Sequence, residues 1–168
     1  YNPVGIREMY SSKEDHTRIL GNIFVNVNLT QDLEYRFNFG TDSDFGFSKS
    51  HQRTGQITTE LVHLSGLSEY NSKSTMLLFE NRLTYKKKFG NHDFSVMASQ
   101  TEQEFKIHQN GISIVGGFAS TNPFFQISAT TAAPTDITTS GDELTSTISS
   151  LLGRFTYNYD GKYLFTAN

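Results

Sequence analysis

The sequence predicts an all-β chain, and three observations carry that expectation. Three segments each hold two runs of apolar/polar alternation joined by a short turn, the pattern of antiparallel strands with two unlike faces. The 168 residues include 14 Phe and 8 Tyr but no Trp or Cys, and apolar residues reach only 36%, lean for a globular core. Tyr35, Tyr85, Phe89, Tyr157, Tyr159 and Tyr163 all fall within a few residues of the three short turns.

The first pair is ILGNIFVNVNL (19–29) and LEYRFNF (33–39), joined by Thr30-Gln31-Asp32. Its odd positions carry Ile19, Ile23, Val25, Val27, Leu29, Leu33, Tyr35, Phe37 and Phe39. Its even positions are polar, with Leu20 and Phe24 as exceptions. The second pair is LLFENRLTYK (77–86) and DFSVMAS (93–99), joined by residues 87–92 around Gly90-Asn91; Asn81 interrupts its apolar face. The third is GRFTYNYDGKYLFTAN (153–168), where Asp160-Gly161 signals a type I′ turn, which needs positive φ at both central residues.

Longer connections of low apolar content separate the pairs, at 41–75 and 100–149. In residues 128–150, 12 of 23 are Ser or Thr, too little apolar surface to fold alone. QITTELVHL (56–64) and FKIHQNGISIV (105–115) still alternate and read as strand extensions or loop hairpins, the latter with a turn at Asn110-Gly111. Short turns therefore belong to one end of the sheet and long loops to the other.

No window approaches the ~18 apolar residues of a spanning helix, but a membrane strand needs only ~9–11 with one apolar face. Tyrosines beside the turns suit a membrane interface, where the ring is buried and the hydroxyl stays wet. A soluble sandwich also explains the alternation, with aromatic cross-strand pairs at hairpin ends. The pattern favours an antiparallel transmembrane barrel. Six strands enclose too little space for Glu34, Arg36, Glu80 and Arg82, so the expectation is a piece of a larger barrel.

Composition excludes other classes. A net charge of −3 and a pI near 5.9 give no footprint for nucleic acid. His16, His51, His63, His92 and His108 are scattered without metal-ligand spacing. Asp42, Asp44 and Gly46 open like a calcium loop, yet Arg53 stands where the bidentate acid belongs. No nucleophile elbow marks a catalytic triad, so no catalytic, cofactor or metal residues are assigned. Glu34 with Arg36, and Glu80 with Arg82, sit two apart and share a strand face; they are candidate substrate contacts or lumenal charges. Phe124 and Phe125, after Asn122-Pro123, are candidate stacking surfaces for a substrate or lid protein.

LGNIFVNVNLTQDLEYRFNFGTDS (20–43), LLFENRLTYKKKFGNHDFSVMAS (77–99) and SLLGRFTYNYDGKYLFTAN (150–168), in this order, resemble consecutive barrel hairpins of the SusC-type TonB-dependent transporters of Bacteroidetes outer membranes. The resemblance covers most of the chain apart from the loop tips. It implies a partial β-barrel domain over residues 1–168, with hairpins at about 18–40, 76–99 and 150–168 of a plugged 22-stranded barrel. It also implies import of glycans or peptides, energy from TonB through a plug region outside this sequence, and a SusD-like lipoprotein as lid. On that analogy the short turns face the periplasm, while residues 1–17, 40–75 and 100–149 are extracellular. A self-contained small outer-membrane barrel with partner-binding loops and a soluble all-β binding module are the alternatives.

Overall fold

The computed structural model describes residues 7–56, 62–119 and 125–168. It is all-β. The strands are β1 (Tyr10–Asn28), β2 (Leu33–Gln52), β3 (Gly55–Gln56), β4 (Val62–His63), β5 (Gly66–Phe89), β6 (His92–Val115), β7 (Ile137–Tyr159) and β8 (Tyr163–Ala167). Six of them form one antiparallel sheet in the order β1-β2-β5-β6-β7-β8, and β3 pairs with β4 in a two-stranded ribbon.

The three expected hairpins are present, with longer strands in the first two and a tighter turn in the second. Gly90, at φ 58°, and Asn91 alone connect β5 to β6, where the sequence suggested six connecting residues. Asp160 and Gly161 both adopt positive φ, 51° and 69°, as the type I′ reading requires. The Gly161 N–H donates to Asn158 Oδ1 at 3.0 Å and the Lys162 N–H to the Tyr159 carbonyl at 2.9 Å. In the β7–β8 ladder Tyr157 faces Phe165 and Tyr159 faces Tyr163.

The main correction concerns the supposed loops. Residues 40–52, 66–75, 100–115 and 137–149 are strand, so β5 and β6 reach 24 residues each. Composition hid this because a strand satisfies its backbone through the ladder with its neighbours, β6 alone in the case of residues 137–149, and needs little apolar side-chain area. Thr-rich stretches also suit a pleated, half-exposed surface. Asn110-Gly111 is no turn but mid-strand: Asn71 Nδ2 donates to Asn110 Oδ1 at 3.1 Å, and a Cβ at Gly111 would crowd Ser140 Oγ and the Tyr70 ring. TDSDFGFS likewise lies inside β2, where Asp44 faces His16 at 2.8 Å. Gln56, Val62 and His63 from the alternating 56–64 stretch pair in an antiparallel ribbon, with Gly55 opposite His63 and Gln56 opposite Val62.

The chain divides into two compact units. The first comprises Tyr1–Arg18, Asp44–Ser74 and Ile107–Leu144, and it holds the long connections and the buried cluster Leu67, Ile114, Phe118 and Phe125. Its connection after β6 is drawn close to the sheet: the Gly116 N–H donates to the Ser65 carbonyl at 2.6 Å and the Phe118 N–H to Ser65 Oγ at 3.2 Å. Gly117, at φ 74°, leaves no room for a Cβ against the Ala132 backbone, and the Thr131 N–H donates to its carbonyl at 2.8 Å.

The second unit comprises Ile19–Ser43, Thr75–Lys106 and Thr145–Asn168, with all three short turns. Its apolar side chains cover no core. Ile23, Val25, Phe79, Leu83, Val96, Leu151 and Phe165 are all exposed, Leu151 by 85%. Rings cluster on the same face near the turns: Tyr85 and Phe89 meet Phe94, and His92 contacts Tyr157 and Tyr159. Asn81, which interrupts this face, accepts a hydrogen bond from the Tyr35 hydroxyl at 2.7 Å. That partner answers the polar group's demand on an otherwise apolar surface.

Candidate functional site

The four charged candidates converge on one face of two neighbouring strands in the second unit. β2 carries Glu34 and Arg36, β5 carries Glu80 and Arg82, and all four are half-buried. Three contacts define the offset between the strands. The Lys86 N–H donates to the Asp32 carbonyl at 2.8 Å, the Phe39 and Phe79 rings lie 5.1 Å apart, and a Cβ on Gly40 would sit 3.5 Å from Leu78 Cβ. In an antiparallel pair that offset sets Arg36 opposite Arg82 and Asn38 opposite Glu80.

The Arg36 guanidinium lies over the Phe24 ring, with Cζ 4.4 Å from its centroid. This explains Phe24, one of the two apolar exceptions on the polar face: it is a cation–π platform. Leu20, the other exception, lines a shallow apolar depression of 420 Å³ with Gly40, Met76 and Leu78. Among the described residues none of Glu34, Arg36, Glu80 or Arg82 forms an ion pair with another. Asn38 Oδ1, on the same face, is buried without a hydrogen-bond partner. Sequence reasoning missed Asn38, because only its surroundings distinguish it from any other polar residue of an alternating strand.

Phe125 is a correction. Expected to offer a ring to substrate or lid, it is instead 5% exposed, stacked on His51 at 4.3 Å and tilted against Phe118 at 5.1 Å. An aromatic that can close a small loop core gains more by burial there than by waiting in water. Phe124 lies outside the described residues. The Arg53 guanidinium also approaches the Phe125 ring, at 5.9 Å.

His51 is half-buried against this core, and its pKa lies below the ordinary 6.5: burial is the largest cause, followed by the positive charges of Arg53 and Lys49. Lys49 is itself paired with Glu69 at 2.8 Å. A lowered folded-state pKa means that the unfolded loop binds more protons, so this contribution is intact above pH 6.5 and is lost as pH falls through the imidazole range. Amide exchange of residues 116–119 and 125–136, corrected for intrinsic rates, is expected to show more frequent opening at pH 5 than at pH 8, about one to two units either side of the ordinary imidazole value. A His51→Leu variant should lose that difference. Equal opening at both pH values in the native protein would contradict the assignment.

The first unit also holds an open cleft of 470 Å³, lined by Tyr10, Ser12, Ser50, Ser68 and Ser113 among others and without any Asp, Glu, Lys or Arg. Its hydroxyls can donate and accept, in contrast to the charged face of the second unit. No group of three or more His, Asp or Glu residues positioned for a metal occurs among the described residues.

No protein-family model matches the sequence, and no curated protein matches it. Solved structures do. The structure of the RagAB peptide transporter aligns with a TM-score of 0.82 and 16% identity over 92% of this chain and 17% of that one. The RagAB peptide importer in its closed-closed and open-open states aligns with TM-scores of 0.81 and 0.80, each at 16% identity over 91% of this chain and 17% of that chain. The chain shares its fold with part of a peptide importer. It spans about a sixth of the length of those proteins, so the likeness concerns a stretch of sheet.

Proposed function

We propose that this chain is a stretch of the barrel wall of a TonB-dependent outer-membrane transporter that imports glycans or peptides together with a SusD-like surface lipoprotein. The observation that carries the reading is the combination of a fold shared with a peptide importer over 91–92% of the chain and an apolar sheet face left uncovered in the second unit. In water such a face is a liability; against hydrocarbon it is the required surface. Within that unit each long strand contributes roughly 10–15 residues, enough for the ~9–11 that a tilted strand needs to cross a bilayer.

In this reading the opposite face, with Glu34, Arg36, Glu80 and Arg82, lines a hydrated interior. The remaining strand length and the 53–65 and 116–136 connections form the extracellular wall, where a lid protein docks. Transport then needs no covalent chemistry from these residues. Energy coupling belongs to plug and TonB-contacting segments in the longer protein.

The alternatives meet specific obstacles. A self-contained barrel needs β1 bonded to β8, whereas the two stand at opposite ends of the strand order. A soluble sandwich needs a second sheet over the apolar face, and the second sheet among the described residues has only two residues per strand.

The test is the native polypeptide. Intact-mass analysis and peptide mapping of isolated outer membranes should find these residues in a protein several times heavier than 18.9 kDa that detergent must extract. A detergent-independent protein of about that mass would overturn the proposal.

A further inference from the structure

Besides its hydroxyl-lined cleft, the first unit carries a recess of 330 Å³ on one side of its sheet. Four neighbouring strands line it: β1 with Asp15 and Thr17, β2 with Phe45, β5 with Asn71 and Lys73, and β6 with His108. The Lys73 ammonium is held 5.6 Å from the centroid of the exposed Phe45 ring. Among the described residues it has no ion pair and no hydrogen bond. Asp15 gives one carboxylate oxygen to Lys13 at 2.7 Å and keeps the other. The Asn71 amide nitrogen donates to Asn110 at 3.1 Å, which leaves the Asn71 side-chain oxygen as an acceptor. The recess thus holds an unpaired cation over a ring, with a carboxylate on the strand beyond.

Along β5, Lys73 shares its side with Leu77, Phe79 and Leu83, and along β2 Phe45 shares its side with Phe39. The contacts of Lys73 with Phe45 and of Phe39 with Phe79 agree with that alternation. In the transporter reading this side is turned away from the hydrated interior, so a transported molecule does not reach the recess. Lys73 stands four residues beyond Leu77 on one unbroken strand, about 13 Å along it. For a tilted strand whose apolar stretch meets hydrocarbon, that is the level of the lipid headgroups.

We infer that the recess holds the phosphoethanolamine headgroup of a membrane lipid. The inference rests on the transporter reading above and adds a lipid partner to it. A phosphate oxygen accepts from the Lys73 ammonium, and Thr17 and His108 supply further donors at the rim. The primary ammonium of the headgroup donates to Asp15 and Asn71 and lies against the Phe45 ring. With β2 between β1 and β5, the backbones bearing the two charges stand about 10 Å apart. Lys73 leans over the β2 ring, which shortens that gap toward the span of one zwitterion. A headgroup with phosphate alone meets Asp15, and Glu143 beside His108, with repulsion. A quaternary ammonium has no N–H to donate to either oxygen.

The test uses the full-length protein in detergent and three dioleoyl lipids that differ only in headgroup: phosphatidylethanolamine, phosphatidylcholine and phosphatidylglycerol. Native mass spectrometry counts the lipids retained. Phosphatidylethanolamine is expected to be retained about two- to fivefold over the others, the weight of an exposed charge contact. Asp15→Asn should lower it to the level of phosphatidylglycerol. Lys73→Gln should lower both of these lipids by a similar factor, and Lys73→Arg should restore them. Asp15 and Lys73 are exposed, so the variants keep the fold. Lys88→Gln removes an equal charge at the turn end of β5 and should change nothing. Equal retention of the three lipids by the native protein would overturn the inference, as would a preference that survives both Asp15→Asn and Lys73→Gln. So would a loss in Lys88→Gln equal to that in Lys73→Gln. Heat-dependent gel migration of the same preparation reports separately on the barrel. A heat-modifiable barrel without the preference sinks the site alone, whereas a protein soluble without detergent sinks the transporter reading with it.

Discussion

In the proposed barrel wall, replacing Leu83 with arginine is expected to destabilise the protein by about 2–4 kcal/mol, the cost of a cation near the bilayer midplane on a barrel's lipid face. Leu83 is 42% exposed and stands on the odd face of β5 between Tyr85, which belongs to the ring cluster near the turn, and Phe79, which meets Phe39. The neighbouring Thr84 points to the opposite face, because successive strand residues alternate. Thr84→Arg should therefore change stability by only about 0.5 kcal/mol or less, as a surface substitution does. The check is reversible urea unfolding in lipid vesicles. Equal effects of the two substitutions would contradict a lipid-facing odd side, and a harmless Leu83→Arg would contradict insertion altogether.

The second large effect is expected at Phe125. Phe125→Ala removes one of the four residues of the buried cluster in the first unit, and truncating a buried phenylalanine typically costs about 3–5 kcal/mol. So small a cluster cannot redistribute that loss, so the connection after β6 should open locally while the ladder of the long strands persists. Limited proteolysis should then cut within 116–119 or 125–136 in the variant and spare these residues in the native protein, and amide exchange in β5 and β6 below Lys106 should stay unchanged. Unaltered protection of 116–119 and 125–136 would show that Phe125 does not hold these residues.

These two predictions differ in how much of their basis was legible in the sequence. The odd face of β5 was visible from alternation alone, because a period of two assigns each side chain to a face before any neighbour is known. The same holds for the shared face of Glu80 and Arg82, and for the Asp160-Gly161 turn, whose chemistry is local. Phe125 was different. Its burial depends on His51, which lies 74 residues earlier, and on Phe118, contacts without any periodic signature.

The strand extensions failed to show for a related reason. The 137–150 stretch is strand because β6 supplies its ladder partners, and hydrogen-bonding opportunity leaves no mark on hydropathy. Asn81 looked like a flaw in an apolar face until Tyr35 supplied its hydrogen bond, and Phe24 looked misplaced until Arg36 covered it.

By itself, then, the sequence determined the strands, their faces, the tight turns and the ring of aromatics beside them, since each follows from backbone period or local turn chemistry. Only the tertiary structure decided how far the strands run, which loop aromatic is buried, and that two arginines from separate hairpins stand opposite each other beside an unpartnered amide. Those properties arise from pairings between residues distant in the chain, and register across a sheet is set by the whole set of strands together rather than by any one of them.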